Sequence, residues 1–397
     1  MSVCIIDRSR AAGTVAAPPS KSYAHRLLIA AFLSGGARVG GVALSRDIEA
    51  TLGCIRALGG LAAVEGDCAS VTAGGAAGGV LPCNESGSTL RFMIPIALAL
   101  QGGGRFTGTE KLFSRGIGEY EKIFAAQGIS CTKGKGSLQV SGQLRSGEYT
   151  IDGSLSSQYI TGLMFALPLL QGESRITILP PVGSRGYIAI TADVLRRAGV
   201  EVRLEGDEVF IPGGQRYSLP DCTVEGDWSN AAFLEIYNCL GGDVTVTGLN
   251  PDSLQGDRVY REHFAALCGG RCTIDLADCI DLGPVLFTLA ALKHGARFVN
   301  AGRLRIKESD RIGDIACELE KIGARVVSGG DEVEVFPAAS LAGPKSFSSH
   351  NDHRIAMSLA AVCSLCGGSI EGCEAVEKSY PAFFSEIGKL GISIRYE

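Results

Sequence analysis

With 397 residues, 46% of them hydrophobic and 54 of them glycine, the chain exceeds one ordinary core and fits two globular domains of about 200 residues rather than a disordered or low-complexity polymer. Its 37 basic and 42 acidic residues leave a net charge of -5, which argues against a nucleic-acid surface or an anionic membrane as partner. The apolar run from Phe92 to Leu100, interrupted by Pro95, falls far short of the roughly 18 residues of a membrane span, and residues 1 to 10 carry no secretory pattern, so a soluble, cytoplasmic protein is expected.

In chain order, the first element is Pro18-Pro19-Ser20-Lys21-Ser22, followed by an apolar run from Tyr23 to Leu33 that His25 and Arg26 interrupt early, and then Gly35-Gly36. Polar and cationic groups at its start and aliphatic ones after it predict a buried helix with an exposed N-terminus. The pattern recurs from Ser86-Gly87-Ser88, Ser156-Ser157-Gln158, Asp227-Trp228-Ser229-Asn230, Asp281-Leu282-Gly283-Pro284 and Asn351-Asp352-His353-Arg354. Each run closes at glycine and leads into a strand-like segment: 37–42, 104–108, 174–179, 243–248, 296–301 and 368–372. A second, more amphipathic series covers 47–60, 116–128, 186–199, 257–270, 310–323 and 383–391, also closing at glycine, the usual left-handed helix stop. In 310–323 the residues Ile312, Ile315, Leu319 and Ile322 share one helical face. The whole predicts six copies of a unit of about 70 residues, each with one buried and one half-buried helix, the fourth-to-fifth interval being shorter.

The fourteen cysteines are scattered, and the close pair Cys363-Ser-Leu-Cys366 falls on an apolar helical run, so buried thiols are expected, with no metal and no structural disulfide. Cations gather where helices begin: Lys21, Arg26, Arg91, Arg115, Arg185, Lys307, Arg311, Arg354 and Lys378. Helix N-termini expose unpaired N–H groups and partial positive charge, so several such ends with basic side chains suit small, multiply anionic ligands. Arginine grips carboxylate or phosphate bidentately, and lysine can also exchange a proton. Other roles compete for the same residues. Ser156, Asp227, Asp281 and Asn351 all suit N-caps, Glu308 suits a helix dipole, Arg91 suits a structural cation, and Gly87 suits either a turn or a close ligand approach. The segment Lys307-Glu-Ser-Asp-Arg311 sets two cations and two carboxylates within five residues.

Lys21-Ser22 with Arg26, Ser86-Gly-Ser-Thr-Leu-Arg91, Arg115-Gly-Ile-Gly118, Asp152-Gly-Ser-Leu-Ser-Ser-Gln158, Lys307 to Arg311, Asn351-Asp-His-Arg354 and Lys378-Ser-Tyr-Pro381 resemble, in order, the motifs of the 3-phosphoshikimate 1-carboxyvinyltransferase, or EPSP synthase, family. The resemblance runs from about residue 13 to 390. It implies an α/β fold of two similar domains, each of three βαβαββ units around buried parallel helices, an inside-out α/β barrel. Residues 1–19 plus 226–397 would form one domain and 20–225 the other, with the active site in the interdomain cleft. It further implies transfer of the enolpyruvyl group of phosphoenolpyruvate to the 5-hydroxyl of shikimate 3-phosphate, without a cofactor, by a monomer. By similarity Lys21, Gly87, Arg115, Gln158, Arg311, Arg354 and Lys378 would meet phosphoenolpyruvate. Lys21, Ser22, Arg26, Ser156, Ser157, Gln158, Ser184, Asp281 and Lys307 would meet shikimate 3-phosphate, Arg26 on its carboxylate. Asp281 is the expected base, and Lys21 and Glu308 are the candidate proton donors.

Glu85, Arg303 and Gly186 depart from that family's commonest pattern, which more often has Asn or Asp, Asn, and Pro at these places; Tyr187 matches. The related UDP-N-acetylglucosamine enolpyruvyl transferases typically start with Lys-Asn and carry a loop cysteine, whereas this chain has Lys21-Ser22 and no cysteine beside Arg115. A silent anion-binding relative would not need Lys21, Asp281, Glu308 and Lys378 together. An RNA-end-processing relative would need a basic face.

Overall fold

A computed structural model describes residues 2–339 and 341–397. The chain is a mixed α/β protein of many short sheets and helices. It divides into two compact units, Met1–Ser20 with Gly226–Glu397, and Lys21–Glu225.

In the unit Lys21–Glu225, one pattern repeats. Strand Leu81–Asn84 leads into helix Gly87–Gln101 and then into the parallel strand Gly103–Gly108, against which the hairpin Ser130–Gly134 and Ser137–Ser141 adds antiparallel. Glu148–Asp152, helix Ser157–Ala166 and Ser174–Leu179 do the same, with Arg203–Glu205 and Glu208–Ile211 completing the sheet. A parallel pair requires a crossover, and here the crossover is the apolar helix. The third sheet takes its parallel edge from the end of the unit, as Cys222–Thr223 pairs with Gly36–Gly40.

The other unit repeats the order with Cys272–Asp275, helix Gly283–Leu292 and Ala296–Val299, followed by Arg325–Gly329 and Glu332–Phe336. Lys345–Ser348, helix His353–Cys366 and Gly368–Glu371 follow. There the N-terminal strand Val3–Ile6 inserts between Gly368–Glu371 and Ile394–Tyr396, tying both chain ends to one sheet. Ala12–Ala16 pairs parallel with Asp243–Thr247 beside helix Trp228–Cys239.

The crossover helices are buried nearly all round. Every residue from Tyr23 to Phe32 of helix Lys21–Leu33 is buried, and Cys363 and Cys366 lie inside the helix His353–Cys366. The second series is amphipathic: helix Arg311–Glu320 buries Ile312, Ile315 and Leu319 on one face. Helices Ser157–Ala166 and Gly87–Gln101 approach closely because Gly162 has no side chain; a Cβ there would stand 2.4 Å from both the Arg91 carbonyl and the Tyr120 hydroxyl. Gln158, one turn earlier on the same face, is thereby brought to Arg91.

Three expectations need correction. Asp281 does not cap: it lies in the 3₁₀ turn Ile280–Leu282, and Leu282 occupies the cap position. Asn351 stands one residue too early, and the carboxylate of Asp352 caps the helix instead, accepting from Arg354 N. Gly60 is no helix stop, because the helix ends at Ala57 and Gly60 belongs to strand Leu58–Glu65. Glycine is needed there for packing, since a Cβ would meet Ile55 Cγ2 at 2.5 Å and Phe32 Cδ2 at 2.9 Å.

Candidate active site

Within Lys21–Glu225, the N-termini of the buried helices carry the predicted groups. Lys21 opens the first helix and its Nζ donates to Asp47 Oδ2 at 2.9 Å. Ser45 caps the helix Arg46–Ala57 by accepting from Ile48 N, which sets Asp47 in the first turn. Arg26, 3% exposed, donates from Nε to Thr191 Oγ1 (2.8 Å), from Nη1 to the Ser22 carbonyl (2.8 Å), and from Nη2 to Thr161 Oγ1 (3.1 Å) and the Tyr187 carbonyl (3.2 Å). These acceptors are all neutral, and burial lowers the guanidinium to a pKa of about 10. A desolvated cation among neutral acceptors gains strongly from an incoming anion.

Gly87 begins a helix capped by Ser86, and a Cβ at Gly87 would lie 2.9–3.0 Å from three atoms of the Arg115 guanidinium. Arg91 holds this corner together. Its Nη1 donates to Gln158 Oε1 at 2.6 Å, its Nη2 donates to the carbonyls of Arg115 and Gly116, and Gln158 Nε2 donates to Ser88 Oγ at 2.9 Å. Ser156 caps the Gln158 helix. Ser157 and Ser184 are buried, Ser184 in a left-handed conformation (φ 61°) at the start of helix Arg185–Arg197. Behind them runs a chain of hydrogen bonds from His25 Nδ1 to Thr51 Oγ1 (2.7 Å), Thr89 Oγ1 (2.8 Å) and Ser86 Oγ (2.8 Å). Burial, with Lys21 and Arg26 adding, pushes the pKa of His25 well down and keeps it neutral.

In the other unit, Asp281 is the centre. Its Oδ1 lies 3.2 Å from Lys307 Nζ and 3.0 Å from Arg311 Nη1, and its Oδ2 lies 3.3 Å from Arg354 Nη2. Arg354 also donates from Nη1 to Ser229 Oγ at 2.7 Å, and Lys378 Nζ donates to the Asn351 carbonyl at 2.7 Å. Arg311 is 1% exposed and reaches Asp352 through Nε (2.7 Å) and Glu308 through Nη2 (2.6 Å), as well as Asp281. Burial alone would lower its pKa, but Asp352, Glu308 and Asp281 together raise it. Lys307 is shifted the other way, down, because burial outweighs the pull of Asp281. Asp257, buried nearby, is raised to about 7 by burial first and by Asp281 next. It therefore adds stability below the ordinary carboxylate range, and that contribution is lost as the pH rises to about 7.

Of the predicted residues, Gly87, Arg115 and Gln158 gather around Arg91, Arg26 forms a second centre, and Lys307, Glu308 and Arg354 gather around Asp281 and Arg311, whereas Lys21 pairs with Asp47 and Lys378 with the Asn351 carbonyl. Sequence reasoning missed Asp47, Asp257 and the structural weight of Asp352. Asp352 lay within a recognised motif, and Asp47 opened a second-series helix, but neither type nor spacing distinguished them from ordinary helix-start carboxylates. The arrangement can hold compact polyanions and offers one carboxylate, gripped by three cations, that their charge can release.

The sequence model of a family described as EPSP synthase (3-phosphoshikimate 1-carboxyvinyltransferase) matches residues 6–387. The 3-phosphoshikimate 1-carboxyvinyltransferase of Clostridium kluyveri is 41% identical over 97% of this chain and 96% of its own length. That of Clostridioides difficile is 37% identical over 96% of each. Among solved structures, an EPSP synthase from Acinetobacter baumannii superposes with a TM-score of 0.80 at 23% identity over the whole of both chains. The enolpyruvyl transferase NikO from Streptomyces tendae reaches 0.81 at 16% identity, over all of this chain and 98% of its own. These two likenesses concern the fold.

Proposed function

Because the chain belongs to the EPSP synthase family, we propose that its clustered cations serve one reaction, the transfer of the enolpyruvyl group of phosphoenolpyruvate to shikimate 3-phosphate. It is a 3-phosphoshikimate 1-carboxyvinyltransferase of the shikimate pathway. The observation that carries the residue assignment is Asp281, a carboxylate held by Lys307, Arg311 and Arg354 and not spent on capping its helix. Both substrates carry phosphate and carboxylate, so both need many cations.

In this reading Lys21, Gly87, Arg115, Gln158, Arg354 and Lys378 surround phosphoenolpyruvate, and Arg311 orders the carboxylates beneath it. Ser22, Arg26, Ser156, Ser157, Ser184 and Lys307 hold shikimate 3-phosphate, with Arg26 on its carboxylate. Asp281 takes the proton of the attacking hydroxyl while the enol methylene gains a proton, and the oxygen bonds to the adjacent carbon. The tetrahedral adduct then loses a methyl proton and inorganic phosphate, which restores the double bond. Lys21 already donates to a carboxylate, whereas Glu308 accepts an N–H of Arg311, so we assign delivery of the proton to Lys21 and its later removal to Glu308. Substrate anions that engage Lys307 and Arg354 weaken their hold on Asp281, which ties release of the base to binding. The repeated βαβαββ order supports an arrangement of three units around buried helices in each domain. We further propose a cytoplasmic monomer that binds neither nucleic acid nor membrane.

The test is phosphate release from phosphoenolpyruvate with shikimate 3-phosphate or UDP-N-acetylglucosamine as acceptor, for the wild type and Lys21→Met. Release with shikimate 3-phosphate alone, abolished in the variant, is the expected result. Release with the nucleotide sugar, or none from folded protein, would sink the assignment. A second variant probes the pocket. In Gly87→Ala the new methyl group displaces the Arg115 guanidinium. The KM for phosphoenolpyruvate is expected to rise about ten-fold and that for shikimate 3-phosphate by less than about two-fold, with weaker inhibition by glyphosate. Unchanged values would remove Gly87 and Arg115 from the phosphoenolpyruvate site.

A further inference from the structure

The turn that delivers Asp352 and Arg354 is held in an uncommon conformation. His350 and Asn351 are consecutive non-glycine residues with φ of 50° and 55°, where L side chains are crowded against the following carbonyl. Such a conformation persists when neighbouring contacts over-determine it. Part of that support is local: His350 N donates to Ser348 Oγ (3.1 Å), Asn351 N to Ser349 Oγ (3.2 Å), and Ser349 Oγ to the Gly372 carbonyl (2.8 Å). The rest comes from the imidazole. Its Nε2 lies 2.8 Å from Glu318 Oε1 and its Nδ1 lies 3.3 Å from Asp314 Oδ1.

Both carboxylates belong to helix Arg311–Glu320, whose first residue is the hub of the Asp281 cluster. Glu318 is 1% exposed, and its Oε2 accepts from Lys321 Nζ (2.7 Å) and from Ser348 N (3.0 Å). It is thus a fixed buried post, one end of which is taken by His350.

We propose that His350 is a positioning residue, a latch that holds the turn Ser349–Asp352 on helix Arg311–Glu320 and so fixes the groups that meet phosphoenolpyruvate. This rests on the functional reading above. Two of those groups depend on the turn, Lys378 through the Asn351 carbonyl and Arg354 as the second residue of the helix that Asp352 caps, and so does Arg311, which orders the carboxylates beneath them, through Asp352. His350 itself bonds to Asp314 and Glu318, away from those three, so its effect on the reaction is transmitted through the backbone.

The experiment compares His350→Asn and His350→Gln with the wild type. Asparagine tolerates the left-handed region but is too short to reach Glu318, so it removes the latch without adding backbone strain. Glutamine places an N–H donor at nearly the same distance as the imidazole Nε2. In His350→Asn the amides of Asn351 and Arg354 are expected to exchange with solvent about ten-fold faster, with amides of the sheets unaffected. The KM for phosphoenolpyruvate is expected to rise about ten-fold and that for shikimate 3-phosphate by less than about two-fold, with His350→Gln restoring most of both losses. Wild-type exchange rates in His350→Asn would overturn the latch, as would faster exchange with an unchanged KM for phosphoenolpyruvate. Equal acceleration throughout the unit would also overturn it, by making His350 an ordinary fold contact. Absence of turnover in the wild type would instead sink the assigned reaction, and the exchange rates would still decide whether His350 holds the turn.

Discussion

Replacing Asp281 by Asn is expected to lower kcat by about 10³-fold while phosphoenolpyruvate binds no more weakly than to the wild type. The amide keeps the shape, and its one acceptor oxygen can stay opposite Lys307 and Arg311 while its NH2 faces Arg354, but it cannot take a proton from the attacking hydroxyl. Removing a negative charge from among three cations also removes the competitor of the substrate's own carboxylate and phosphate. Affinity is therefore expected to hold or to improve as the rate falls. Calorimetric titration with phosphoenolpyruvate in the presence of shikimate 3-phosphate, alongside single-turnover phosphate release, separates the two effects. A variant that keeps a tenth or more of the wild-type rate would move the base elsewhere. One that loses binding in proportion to rate would make Asp281 a structural anchor of the cations.

Much of this was legible in the chain because the repeat is written in glycine and apolar runs. Lys21, Gly87, Ser157, Trp228 and His353 each open a helix within two residues of the expected start, and Ser86, Ser156 and Asp227 cap as their types suggest. What the pattern could not supply was the choice among equivalent polar residues at a helix start. Whether Asn351 or Asp352 caps depends on a shift of one residue, and that shift is fixed by contacts of the turn with Gly372 and Glu318, far away in sequence. Asp281 looked like a cap and is spared that role by a 3₁₀ turn. Arg91 could be read as structural or as ligand-binding. Its place between Gln158 and the Arg115 carbonyl makes it the support of the pocket, a role created by the close approach at Gly162. Charge partners are the least legible of all, since Asp47 and Asp352 acquire meaning only from cations brought to them by the fold, and Asp257 only from its burial beside Asp281.

Arg311 is where this matters most for stability. One of the helix-start cations expected to meet phosphoenolpyruvate, it is 1% exposed and bridges carboxylates from three separate segments, Asp281, Glu308 and Asp352. Asp352 is itself 0% exposed, so Arg311→Met leaves a buried carboxylate without its main counter-charge. Breaking such a pair from one side typically costs about 3–5 kcal/mol, well beyond a surface substitution. For a unit of this size that corresponds to a fall in Tm of about 10 °C. The chain's single tryptophan, Trp228, lies in the same unit, so its fluorescence follows that unit's unfolding. Adding Asp352→Asn to Arg311→Met removes the stranded charge while keeping a side chain able to cap the helix, and is expected to recover part of the lost stability. That recovery is the decisive sign, because a residue serving mainly as a ligand contact would leave stability unchanged and affect phosphoenolpyruvate binding alone. If the single variant melts within about 2 °C of the wild type, the carboxylate cluster does not depend on Arg311, and the support for Asp281 must come from Lys307 and Arg354.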